Sequence, residues 1–76
     1  MCQWQVKIML LDQKQELDLT LSADGLNQAK QQALKEFKKR SPQRKYLYLE
    51  AKQPGVYTIV SNMDDVGEVT LQRVDS

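Results

Sequence analysis

Between Trp4 and Leu10 the side chains Trp4, Val6, Ile8 and Leu10 alternate with Gln5, Lys7 and Met9. A period of two belongs to a strand with one face in a core and the other in water, so this stretch predicts a first strand. Residues 12–15 are polar and form a short loop. Beyond them Leu17, Leu19 and Leu21 alternate with Glu16, Asp18 and Thr20, which predicts a second strand within hairpin reach of the first. Register is decisive for this pair, because a slip of one residue would turn every leucine to water.

The spacing then changes to threes and fours. Leu26, Ala29, Ala33, Leu34 and Phe37 make one apolar stripe of a helix, with Lys30, Gln31, Lys35, Lys38 and Lys39 on the remaining surface. Ser22 is the expected N-cap, with Asp24 in the first turn and Leu21 and Leu26 placed for a hydrophobic staple. Gly25 costs about 1 kcal/mol inside a helix relative to alanine, which makes Asp24 the alternative cap. Pro42 ends the helix by holding Ser41 out of helical geometry. After Arg44 the period returns to two, with Tyr46 and Tyr48 on one face and Leu47, Leu49 and Ala51 on the other. Gln53, Pro54, Gly55 and Val56 have the residue preferences of a type II turn leading into a strand over 56–61. Residues 62–67 read as a turn-rich loop, and 68–74 as a fifth strand with Val69 and Leu71 on one face.

The order strand, strand, helix, strand, strand, strand predicts a single small α+β domain over residues 1–76, in two layers: one helix packed on one face of a mixed or antiparallel sheet. With its opening hairpin, a helix crossing one face and a closing strand, this order resembles the β-grasp arrangement of ubiquitin-like domains. The sequence reads Arg73, Val74, Asp75, Ser76 where ubiquitin-type conjugation uses a diglycine, so the resemblance implies a fold and not that chemistry. The alternative is a plain antiparallel five-stranded meander against a helix. The expected core is Trp4, Val6, Ile8, Leu10, Leu17, Leu19, Leu21, Leu26, Ala29, Ala33, Phe37, Leu47, Leu49, Ile59, Val69 and Leu71.

Composition narrows the chemistry. Seventy-six residues, 41% apolar and 28% charged, suit one globular unit rather than a disordered chain. Histidine is absent and Cys2 is the only cysteine, which removes structural zinc sites, Ser-His and Cys-His nucleophile pairs and disulfide frameworks. Three glycines, Gly25, Gly55 and Gly67, cannot build a phosphate-cradling loop. No enzymatic activity, cofactor or metal is therefore expected. The longest apolar run, residues 8–11, is far short of a membrane span, and no signal-like segment opens the chain, so the expected location is cytoplasmic with no membrane partner.

Charge is the more informative feature. Within residues 30–45, Lys30, Lys35, Lys38, Lys39, Arg40, Arg44 and Lys45 face the single acid Glu36, a local +6, while the rest of the chain carries −5. Such polarity steers oppositely charged partners. Lys38, Lys39, Arg40, Arg44 and Lys45, followed by Tyr46 and Tyr48, suggest phosphate contacts with bases stacked on two tyrosines of one strand face. A second candidate surface is the sheet face that one helix leaves uncovered, carrying Gln5, Lys7, Met9, Tyr46 and Tyr48; tyrosine and methionine are enriched at protein interfaces. Asp64, Asp65 and Glu68 lack the spacing of a calcium loop and read as solvated. The expectation is a small non-enzymatic protein-interaction module, a regulator or accessory subunit of a larger assembly, with a homodimer through the open face as one form of partnership. A nucleic-acid-binding module is the alternative.

Overall fold

In the computed structural model, which describes residues 2–11 and 13–74, alternation at the start of the chain produces β1 (Cys2–Leu10) and β2 (Gln15–Ala23). Asp12 of the first loop and the pair Asp75 and Ser76 lie outside the described residues. The two strands pair antiparallel with Val6 opposite Leu19 and Ile8 opposite Leu17, the register that keeps both apolar rows on one side. The helix α1 (Leu26–Arg40) follows, then β3 (Leu47–Gln53), β4 (Val56–Ser61) and β5 (Asp64–Val74). All pairings in the five-stranded sheet are antiparallel, in the order β2-β1-β5-β4-β3. The sheet is not a simple meander, because β1 sits between β2 and β5 rather than at an edge.

The helix lies on one face. Ala29, Ala33 and Phe37 are fully covered and pack with Trp4, Val6, Ile8, Leu10, Ile59, Val69 and Leu71. Leu17, Leu19, Leu21, Leu34, Leu47 and Leu49 border this core half-buried. Two alanines in the stripe let the helix backbone come close to the strands, and Phe37 fills the space beyond them.

Several local expectations are corrected. Ser22 is not the helix cap: β2 continues through Ala23, which is buried and whose carbonyl accepts a bond from Trp4 Nε1 at 3.4 Å. Gly25 takes the N-cap position without a side-chain bond, while Gln28 Oε1 reaches back to accept from the Asp24 N–H at 2.6 Å. Leu26 then becomes the first helical residue and is 42% exposed, so it leaves the core and makes no staple. Residues 62–67 are not a loop. Asn62 and Met63, with φ of 51° and 67°, turn the chain in two residues and β5 begins at Asp64. Both central residues of a type I′ turn need positive φ. A bulge between Ile59 and Val60 leaves Val66 as an extra residue, buried in the core. Val60, Tyr57 and Ala23 are also buried, none of them in the expected core. At the other hairpin the predicted turn forms, with Gly55 at φ +79° as a type II turn requires.

Candidate functional site

The helix end and the segment after it are held by main-chain bonds rather than by packing alone. The Ser41 N–H donates to the Phe37 carbonyl at 3.0 Å, and the Arg44 N–H donates to the Ser41 carbonyl at 3.1 Å, so the chain folds back around Pro42. Ser61 Oγ donates to the Lys45 carbonyl at 2.7 Å and ties the returning segment to β4. These bonds bring residues 44–47 alongside the second half of α1.

A groove of about 440 Å³ results, lined by Gln31, Leu34, Lys35 and Lys38 from the helix and Arg44, Tyr46 and Leu47 from the returning chain. It runs into a second hollow of about 310 Å³, lined by Asn27, Lys30, Gln31, Leu34 and residues 47–49 of β3. Every charged residue along the two is a base: Lys30, Lys35, Lys38 and Arg44. Lys30 Nζ also stands 4.7 Å over the buried Tyr57 ring, an attraction of cation and ring face.

The five basic residues singled out from the sequence have different surroundings. Lys38 and Arg44 line the groove. Lys39 turns to Glu36, 3.1 Å away, and Arg40 and Lys45 are exposed. The tyrosines part company as well. Tyr46 precedes β3 with φ of 57°, is 79% exposed and lines the groove. Tyr48 is inside β3, where strand alternation sets it against the half-buried Leu47 and Leu49 and opposite Val60. The left-handed turn takes Tyr46 out of the strand, so the alternation expected to set the two rings on one strand face does not extend to it.

The face away from the helix carries polar and charged neighbours around Lys7 and Met9. Tyr46 is not on it. Lys7 is paired with Glu16 at 3.3 Å and lies between Asp18 and Thr70, and Met9 lies between Glu16 and Glu68. Lys52 reaches Glu68 at 3.4 Å. Gln5, Lys7, Asp18, Thr70 and Gln72 line a shallow hollow of about 270 Å³ there, polar and of mixed charge. Asp64 and Asp65 are exposed at the start of β5, and among the described residues no three His, Cys, Asp or Glu side chains gather where they could hold a metal ion.

The helix positions of the groove share one signal in the sequence: 31, 34, 35 and 38 follow helical spacing. Their partners at 44, 46 and 47 carry none, since they arrive through the fold-back at Pro42. Among the described residues no helix is long and apolar enough to cross a membrane. Compared with known protein families, with curated proteins and with solved structures, the chain finds no match in any of the three.

Proposed function

We propose that this chain is a small non-enzymatic protein-interaction module, a regulator or accessory subunit of a larger assembly, and that its contact surface is the side where α1 meets β3. One observation carries the reading: Leu34, Leu47 and the Tyr46 ring form an apolar wall among Lys35, Lys38 and Arg44 in a groove open to water. Apolar centre with charged rim is the composition of a protein contact. The alternative, a nucleic-acid module, would use the same cations with Tyr46 and Tyr48, but Tyr46 lies outside β3, where strand alternation does not align its ring with that of Tyr48.

Salt separates the two. Phosphate binding by several bases weakens log-linearly with salt and for unrelated sequences alike, whereas a protein contact selects one partner. Capture from native extract, with and without nuclease and across a salt series, is the test. A retained protein that survives nuclease supports the module; material lost to nuclease together with a steep salt slope supports the alternative.

A further inference from the structure

The geometry points to the occupant of the groove: an acidic, extended peptide segment of a partner protein, added as a strand beside β3. This inference rests on the protein-interaction reading and names the chemistry of its partner. β3 pairs only with β4, so the N–H and C=O groups along its outer edge have no strand partner. An extended peptide satisfies such an edge with its own main chain, and side-chain pockets beside the edge choose the sequence. The other edge strand, β2, is partly closed, since Gln32 Nε2 donates to the Ser22 carbonyl at 3.1 Å.

Charge selects the peptide. Lys30, Lys35, Lys38 and Arg44 line the hollows beside β3 with no carboxylate among them. Among the described residues Lys35 and Lys38 form no ion pair, unlike Lys7, Lys39 and Lys52. Leu34, Leu47 and Leu49 lie between these cations and accept an apolar side chain. Alternate residues of an added strand point to the same side, about 7 Å apart, so carboxylates flanking one apolar residue match the lining.

Tyr46 adds an independent reason. Its backbone is left-handed, at φ 57°, a region that side chains other than glycine and asparagine seldom occupy, and its ring is mostly in water. Glycine would hold the same turn without strain. The fold does not require a tyrosine there, whereas a strand lying in the groove would meet the ring at its open end.

Panning a random peptide library on the full chain, followed by amide shifts recorded with the enriched peptides, tests the inference. The expected peptides are acidic with alternating apolar residues and move the amides of residues 46–53. Lys35→Glu with Lys38→Glu weakens them about tenfold or more while Trp4 fluorescence reports an intact fold. Tyr46→Gly weakens them too and raises the urea midpoint. Neutral or basic peptides, no enrichment, shifts confined to the face of Gln5 and Lys7, displacement by single-stranded oligonucleotide, or affinity that survives the charge reversal overturns it. If nuclease-resistant protein capture persists in the charge-reversed chain, the groove is the wrong site and the interaction reading stands. If no nuclease-resistant capture occurs with the wild-type chain, the reading fails and the inference with it.

Discussion

Gly67 sits where three layers of atoms meet, and replacing it with alanine tests the packing there more sharply than any truncation. It is paired with Leu10 on one side and Ile59 on the other. A methyl group at this position would come 2.7 Å from the Met9 carbonyl oxygen, 2.9 Å from Phe37 Cε2 and 3.1 Å from Ile59 Cδ1. Ordinary contact between carbon atoms begins at about 3.5 Å. Ile59 can yield by turning its terminal methyl, but the Phe37 ring is 1% exposed and has nowhere to go. The Met9 oxygen belongs to β1, so relief there means prising β1 from β5. Overpacking costs about 1–3 kcal/mol, and a main-chain obstacle puts this site at about 3. Restricting the unfolded chain returns at most about 1 kcal/mol. A net loss of about 2 kcal/mol is a large part of the roughly 5 kcal/mol that so small a core sustains, and lowers Tm by about 8–16 °C. Urea unfolding followed through Trp4, the only tryptophan and a core residue, measures it. A loss below about 0.5 kcal/mol would mean that Phe37 does not lie over Gly67 and that the helix sits differently on the sheet.

Phe37→Ala is expected to cost about 3–5 kcal/mol in the same assay, and a loss under 1 kcal/mol would place the ring outside the core. In that background Gly67→Ala should cost less than it does alone, because one of its three obstacles is gone; strict additivity would contradict the contact. Met63→Gly is expected to stabilise by about 1 kcal/mol, since Met63 is 91% exposed and holds a left-handed φ of 67° that glycine adopts freely; an unchanged urea midpoint would argue against that turn. Changing Lys38, Lys39, Arg40 and Lys45 together to glutamine should alter stability by no more than about 1 kcal/mol, as exposed charges contribute little, and thermal melting that shows unfolding would make these residues structural. Arg44 is left out of that set because it is half-buried.

Periodicity makes β1, β2 and α1 legible because each commits a regular row of side chains to one core, and the turn at Gly55 announces β4. It fails where a distant partner decides. Serine suits both a helix cap and a strand, and what settles Ser22 is the burial of Ala23 beneath Trp4, nineteen residues away along the chain. Residues 62–67 contain every sign of a loop, two aspartates and a glycine among them. From Asp64 on they become strand because β4 pairs along them and β1 joins at Gly67, where Phe37 leaves room for no side chain. The groove is half legible for the same reason: its helical wall repeats at fixed spacing, while its other wall depends on main-chain bonds at Ser41 and Arg44 and on the Ser61 hydroxyl holding the Lys45 carbonyl. Charge content announces a basic segment but cannot tell that Lys39 is spent on Glu36 while Lys35 and Lys38 remain available.

The central position of β5 sets a schedule for the nascent chain. The β1–β2 hairpin and the β3–β4 hairpin can each form as soon as they are synthesised, yet a lone two-stranded hairpin is at best marginally stable in water. Only β5 joins them, by pairing with β1 on one side and β4 on the other. Until its residues clear the ribosome, the leucines of β2 and the apolar face of α1 have half a sheet to cover, and the inner edges of β1 and β4 stand open to other chains. A ribosome stalled before Asp64 would therefore hold two hairpins whose facing edges, on β1 and β4, have no strand between them.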